Sequence, residues 1–327
     1  MKKYLYIILL MFLATSLHAQ SSESTPEEKV VPKLITNEFP ATRTLDVQFD
    51  QFGDTHYKSE YRGQSYETGD LKSQNRLKVA FNLPLIEKKN WTLSTSFRYK
   101  YEQVSFDNIN VPSGGMPVVA QRDELSFHYI LGSLNYTRND QLFGTTFTSN
   151  FSGFGDASFK SFGRFNATYI GSLVLKNDTQ TRMTAGIILQ TNPNSISPIL
   201  PSFSYDHRFS DSLWELDVIL PKQIYLRRKI LKNDRLSLGT EFVGEQYYFN
   251  SNFQGPEKVY NYNRNELKSG LLYEYRITHR FTGLFKTGWN KPLHGTIRER
   301  GETDRIVVTK YDPNFYFNFG ISFNLMK

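Results

Sequence analysis

The chain has 327 residues with 39 basic and 32 acidic side chains, no cysteine, and an aromatic content of 26 Phe, 20 Tyr and 3 Trp. A disulfide scaffold and a Cys-ligated zinc or iron–sulfur site are therefore excluded, and 39% apolar residues set it apart from the low-hydrophobicity composition of a disordered chain. A formal charge of +7 is mild for this length and points to no nucleic-acid partner.

The first residues are Met1-Lys2-Lys3, an apolar run from Tyr4 to Leu13, and a stretch ending Leu17-His18-Ala19-Gln20. A basic start, a short apolar middle and a small residue before the cut describe a secretory signal peptide over residues 1–19, cleaved near Ala19. The apolar run falls short of the roughly 18 residues a spanning helix needs. Cleavage removes Lys2 and Lys3, lowering the net charge from +7 to +5. Residues 20–41 are rich in Ser, Glu, Lys and Pro; Thr25-Pro26-Glu27-Glu28 has helix-start chemistry, but Pro32 leaves barely one turn, so a flexible periplasmic tail is expected.

From Thr42 onward apolar residues alternate with period two, and residues 42–327 read as one β domain. Leu77, Val79, Phe81, Leu83 and Leu85 share one face, and Trp91, Leu93, Phe97, Tyr99 and Tyr101 share another. The pattern recurs over 143–151, 165–175, 183–189, 214–220, 236–242, 267–277 and 281–289, and ends with Phe315, Phe317, Phe319, Ile321, Phe323 and Leu325. Short polar breaks at 87–90, 138–140, 176–178, 210–212, 232–234 and 278–280 alternate with long irregular stretches at 53–70, 104–124, 152–161, 192–201, 250–264 and 290–313. Six short turns imply seven strand pairs, hence about 14 strands, with 12 the alternative.

Alternation alone also fits a soluble sandwich. Strand lengths near the roughly 9 to 11 residues that cross a tilted bilayer, segregation of short and long connections, and aromatics near strand ends (Trp91, Tyr99, Tyr101, Trp214, Phe281, Trp289) favour a closed antiparallel transmembrane β-barrel with short periplasmic turns and long extracellular loops. In lipid every backbone donor and acceptor must pair within the protein, so the first strand, near 42–51, is expected beside the last, near 315–325.

Asn37-Glu38-Phe39-Pro40 leading into Arg43-Thr44-Leu45-Asp46-Val47, Ile219-Leu220-Pro221-Lys222-Gln223 with Arg227-Arg228, Leu236-Ser237-Leu238-Gly239 and Glu266-Leu267-Lys268-Ser269-Gly270-Leu271-Leu272-Tyr273-Glu274 resemble an uncharacterised outer-membrane β-barrel family of Gram-negative bacteria, domain of unknown function 6268. The resemblance covers nearly the whole mature chain. It implies a fold and a compartment, the cell outer membrane, and brings no activity or catalytic residues.

If apolar faces meet lipid, the intervening charges line the lumen: Asp46, Asp50, Arg76, Lys78, Arg98, Lys100, Glu215, Asp217, Arg227, Lys229, Glu274 and Arg276. A three-residue loop centred on Lys222 sets Asp217 opposite Arg227 and Glu215 opposite Lys229. The hairpin at 87–90 sets Lys78 opposite Arg98 and Arg76 opposite Lys100, base against base, with Asp46 and Asp50 on the same parity nearby. Two outcomes stay open, an interior salt-bridge network that blocks the lumen or a basic patch that draws anionic solutes into a channel. Arg228 falls on the lipid parity at a strand end, where it can snorkel.

The mature chain has His56, His128, His207, His279 and His294. Asp206-His207 are neighbours on a strand and point to opposite faces; Ser126 and His128 share one face, compatible with a lumen hydrogen bond; His56 and His294 lie in outer stretches that loops can bring together. Gly153-Phe154-Gly155-Asp156 lacks the Lys and helix of a phosphate loop and reads as an extracellular turn. No cofactor, metal or catalytic set follows. The expected partners are outer-membrane lipid, lipopolysaccharide and the barrel-assembly machinery, with a small solute unspecified. The expected role is a narrow porin-like solute channel or a structural barrel, with a surface-binding adhesin or a lipid-modifying barrel enzyme as alternatives.

Overall fold

The computed structural model describes Phe39 and residues 42–325 except 122, 193–196, 211, 253 and 254, so the signal peptide and most of the tail lie outside the described residues. Sixteen β elements follow one another: β1 (Leu45–Phe52), β2 (Thr55–Tyr61), β3 (Gln64–Glu87), β4 (Trp91–Asn110), β5 (Glu124–Leu142), β6 (Thr145–Ala157), β7 (Phe162–Asn177), β8 (Thr181–Gln190), β9 (Ile199–Arg208), β10 (Trp214–Leu220), β11 (Gln223–Arg228), β12 (Asp234–Ser251), β13 (Lys258–Arg276), β14 (Phe281–Glu299), β15 (Val307–Tyr311) and β16 (Asn314–Phe323). β1 and β2 are two halves of one strand broken at Gly53-Asp54, and β15 and β16 are halves of another broken at Asp312-Pro313, so the elements form 14 strands.

Each strand pairs antiparallel with its chain neighbours, and the ring closes where β1 meets β16, from Leu45↔Phe323 to Phe52↔Tyr316, and β2 meets β15, from Tyr57↔Tyr311 to Tyr61↔Val307. The first and last strands are thus joined, and the sheet has no open end at the bilayer level, as lipid requires.

Exposure is inverted relative to a water-soluble fold. Phe49, Leu134, Phe151, Leu238, Leu271, Phe317, Phe319 and Ile321 face outward, with Phe319 54% exposed, whereas Asp50, Arg76, Glu102, Glu215 and Glu266 inside are at most 1% exposed. Exposed apolar area costs about 25 cal/mol per Å² in water, so a continuous belt of such rings belongs against hydrocarbon. Trp289 and Phe315 pack edge to face at 5.8 Å at the belt's upper limit, beside the two strand breaks.

The connections differ from the sequence expectation in two ways. The turn expected at 138–140 lies instead at Phe143-Gly144, where both residues have positive φ (54° and 77°), the geometry of a tight two-residue hairpin turn. Much of the chain read as long loops is paired strand: 53–70 contains β2, a hairpin at Arg62-Gly63 (φ 49° and 83°) and the start of β3, while 152–157, including the Gly153–Asp156 stretch, continue β6. These strands rise beyond the apolar belt, where water replaces lipid outside and alternation no longer separates wall from loop.

The wall is uneven in height. β6 stops at Ala157, opposite Ile130, so residues 124–129 of β5 have no ladder partner on that side. β11 stops at Gln223, opposite Glu241, so residues 243–250 of β12 pair with β13 alone. Above the belt, therefore, only β5, β4, β3, β2, β15, β14, β13 and β12 continue, as a curled sheet with two free edges.

Candidate functional site: the lumen and its seal

The inner face of the β1–β4 and β12–β13 side is filled by ions. Arg76 donates from Nε to Glu102 (2.6 Å), from Nη1 to Glu245 (2.9 Å) and from Nη2 to Glu266 (2.7 Å). Arg264 donates to Glu102 and Glu266, both at 2.8 Å, and Lys100 to Glu245 at 2.6 Å. Asp50 takes Lys78 at 2.7 Å and has Lys268 and Arg76 within 3.7 Å. The ring of Phe52 lies 5.0 Å from the Arg76 guanidinium carbon and 4.8 Å from Lys268 Nζ. Five cations meet four carboxylates here, so the cluster nearly neutralises itself.

Lys100 on β4 and Glu245 on β12 lie six steps apart around the 14-strand ring, one short of diametrically opposite, yet their side chains bond. The network therefore crosses the lumen rather than lining it.

The register behind it corrects the expected base-against-base wall. The β3–β4 turn is tighter than expected, Lys88 rather than Leu85 lying opposite Trp91, and a β-bulge between Pro84 and Ile86 then takes back one residue, so Arg76 faces Glu102, Lys78 faces Lys100 and Arg98 faces Ala80. Arg76, placed opposite Lys100 by the sequence arithmetic, instead meets an acid.

A second ionic layer closes the end that carries both described termini. Glu274 accepts from Arg43 and from Arg235, and Asp217 accepts from Arg227. Phe39 is buried in this mouth against the guanidinium groups of Arg235 (4.8 Å) and Arg276 (6.0 Å). The β10–β11 loop is centred on Pro221, after a cis Leu220–Pro221 bond, and not on Lys222. Glu215 consequently faces Arg227 and Asp217 faces Tyr225, the Asp217–Arg227 contact being diagonal, while Lys229 lies just past the end of β11. Asp46 accepts from Gln48, and Arg98 is half-buried. Arg228 is exposed, with its guanidinium 5.5 Å from the Trp214 ring.

The β5–β9 side differs. Its inner face carries Ser133, Asn135, Thr137, Thr146, Thr148, Ser172, Thr184, Ser202 and Ser204, all half-buried, above which Asn150, Ser152, Thr168 and Gln190 are buried. Thr184 and Ser204 hydroxyls bond at 2.6 Å, and Asn150 donates to Thr137 at 2.7 Å.

Above the ions the same inner positions turn aromatic. Tyr57, Leu71, Val104, Phe127, Tyr129, Tyr247, Tyr262, Ile297 and Tyr311 form an apolar core inside the curled sheet. β5 and β12, seven steps apart in either direction, touch there through Phe127–Tyr247 (5.5 Å) and Tyr129–Tyr248 (6.4 Å). Asp156 ties the seam by accepting from Tyr129, Tyr248 and Gln246 at 3.0–3.1 Å. Residues 111–121 fold into the mouth, where the Glu67 carboxylate accepts from the backbone N–H groups of Val118, Val119 and Ala120 at 2.7–2.9 Å and from Tyr57 Oη at 2.6 Å.

The histidines do not assemble. Ser126 and His128 face outward, correcting their expected lumen position, because Phe127, Tyr129 and Leu131 take the inner face; His128 bonds Tyr99 Oη at 2.9 Å and stacks on Phe159 at 4.2 Å. His56 bonds Asp70 at 2.7 Å, and His207 bonds Thr181 at 2.9 Å. Among the described residues no group of three or more His, Asp or Glu is placed to hold a metal ion.

Sequence arithmetic missed Glu102, Glu245, Glu266 and Arg264, which complete the seal. Each stands in a strand segment left without a charge partner, although the alternation of Glu102 with Tyr101 and of Glu266 with Leu267 is a usable signal.

No family model and no curated protein matches this sequence. Among solved structures it is similar to an outer membrane channel from Pseudomonas putida F1 (9% identity, TM-score 0.38, covering 86% of this chain and 96% of that one). It is also similar to the translocator domain of the autotransporter NalP from Neisseria meningitidis (10%, TM-score 0.31, 88% and 90%) and to the outer membrane protease OmpT from Escherichia coli (8%, TM-score 0.27, 88% and 99%). At these scores nothing about activity carries over. What the closed ring, the apolar belt and the ionic interior define is an integral membrane β-barrel of the outer-membrane type.

Proposed function

We propose that this chain is an integral outer-membrane β-barrel of the closed, structural kind, and not a free-diffusion porin. It is exported by the signal peptide, cut near Ala19, and inserted by the barrel-assembly machinery among outer-membrane lipid and lipopolysaccharide. Membership of the domain of unknown function 6268 family accords with the quoted segments. The reading assigns no hydrolytic activity.

One observation carries the closed state: Lys100 and Glu245, nearly opposite in the ring, bond across a lumen in which Arg76 is 0% exposed. An ion entering that layer would have to displace paired, desolvated charges, which is costly. The layer's near-neutrality also leaves no net field to select anions.

Planar-bilayer recording of the purified protein tests this. The expected record shows no discrete steps at moderate voltage. Stable conductance steps from the unmodified protein would instead establish a channel, and inversion of their anion preference on replacing Arg98 and Lys100 with Glu would restore the basic-patch reading.

A further inference from the structure

A cavity of about 480 Å³ lies between the free edge of β5 and the upper part of β12. Its lining takes Phe127, Tyr262 and Ile297 from the inside of the curled sheet, and Ser126, His128 and Phe159 from outside. One cavity lined from both faces of β5 passes through the wall. The gap follows from the topology, since β6 ends at Ala157 while β5 continues for six residues without a ladder partner there.

The surroundings specify what suits it. Phe106, Phe249 and Tyr311 add further rings to the lining. The one deep charge, Arg264, is bonded to Glu102 and Glu266 and offers a ligand no spare counter-charge, whereas Lys160 and Glu257 stand exposed. Outside the gap the wall carries Phe159, Phe162 and Phe165, at 64%, 49% and 80% exposure, so the apolar outer surface continues up to the opening. Below, the ionic layer closes the path downward.

We propose that this cavity binds a neutral, ring-bearing apolar molecule that enters sideways through the wall, just above the apolar belt, through the gap beside Phe159. The volume falls within the range of small-molecule sites, and rings on both sides allow offset or edge-to-face contact with a planar ligand. The site lies above the seal, so it stands or falls independently of whether the lumen ever conducts.

Benzophenone, a neutral photoreactive ring compound, is the probe. Full-length mature protein in lipid nanodiscs is irradiated with it, with and without excess naphthalene, and adducts are mapped by mass spectrometry. The expected result is saturable labelling of the peptides carrying Phe127 and Phe249, suppressed by naphthalene. That labelling is lost in Ser126→Trp, which obstructs the opening, and in Val119→Trp, which fills the interior, both checked for folding by heat-modifiable gel mobility. Labelling confined to the lipid belt around Phe315 and Phe319 overturns the proposal, as does cavity labelling that naphthalene does not suppress. Persistence of cavity labelling in both folded variants overturns it too. The naphthalene competition needs no variant, so a failure of either to fold leaves the test decisive.

Discussion

On one side of the ring the inner face carries Asp50, Arg76, Glu102, Glu245, Arg264 and Glu266; on the other it carries Thr148, Ser172, Thr184, Ser202 and Ser204. Both satisfy polar groups inside a wall whose exterior belongs to lipid, but they do so differently. The ionic side packs large side chains that reach across the lumen and bury one another. The hydroxyl side uses short side chains that bond only their neighbours and keep some exposure to the lumen. The contacts that span the lumen therefore belong to one half of the barrel.

That contrast sets an order of expected effects. Replacing Arg76 with Met leaves Glu102, Glu245 and Glu266 buried with one cation fewer, and should lower folding stability by about 3–5 kcal/mol, read from urea unfolding in lipid vesicles. If Arg76→Met costs no more than a typical surface substitution, the ionic half is not the rigid part. Glu67→Gln weakens the three backbone bonds that hold the 111–121 segment in the mouth, along with the Tyr57 bond; a loss of about 1–3 kcal/mol there should show as faster proteolysis within 111–121, with the rest of the barrel resistant. Thr184→Val on the hydroxyl side removes one bond to Ser204 in a half-buried setting and should cost about 0.5–1.5 kcal/mol in the same unfolding assay. A Thr184→Val effect equal to that of Arg76→Met would erase the distinction between the halves.

The smallest effect lies in the β7–β8 turn, outside the belt. The backbone N–H of Gln180, the Lys176 ammonium and the N–H of Thr181 hold the Asp178 carboxyl down at about 2. A carboxyl lowered by folding contributes its stabilisation above its ordinary value near 3.8 and loses it as pH falls toward about 2. Asp178→Asn should therefore lower stability slightly at pH 7 and by less at pH 3, flattening the acid limb, which unfolding series at those two pH values would detect.

Within the belt, period-two alternation specified the fold: Phe315 to Leu325 showed a lipid face and Asn318 to Ser322 an inner one, and the joining of first to last strand followed from the need to pair every backbone group. Above the belt the rule fails for a physical reason. Water lies outside, so apolar side chains move to the inner face, as Val104 and Phe106 do on β4 after Lys100 and Glu102. A bulge between Leu71 and Ser73 shifts β3 out of phase at the same height. Alternation there is irregular, so the sequence resembles a loop.

Charge pairing was legible as a class but not in register. The tight turn at Lys88–Trp91 combined with the bulge beside Leu85, and the loop centre at Pro221, each leave a ladder one pair from the expected register, and local sequence carries no count of such residues. The cross-lumen partner of Arg76, Glu245, lies 169 residues away, and no hairpin arithmetic reaches it.

The central claim is that β4 and β12, far apart around the ring, meet inside it. The chain has no cysteine, so Lys100→Cys with Glu245→Cys gives the only two thiols in the protein. A short bis-maleimide applied to the folded double variant should join them within one molecule, shifting its gel mobility and yielding one linked peptide pair. Two thiols that each react with a monofunctional maleimide yet never become linked would show an open lumen and contradict the account.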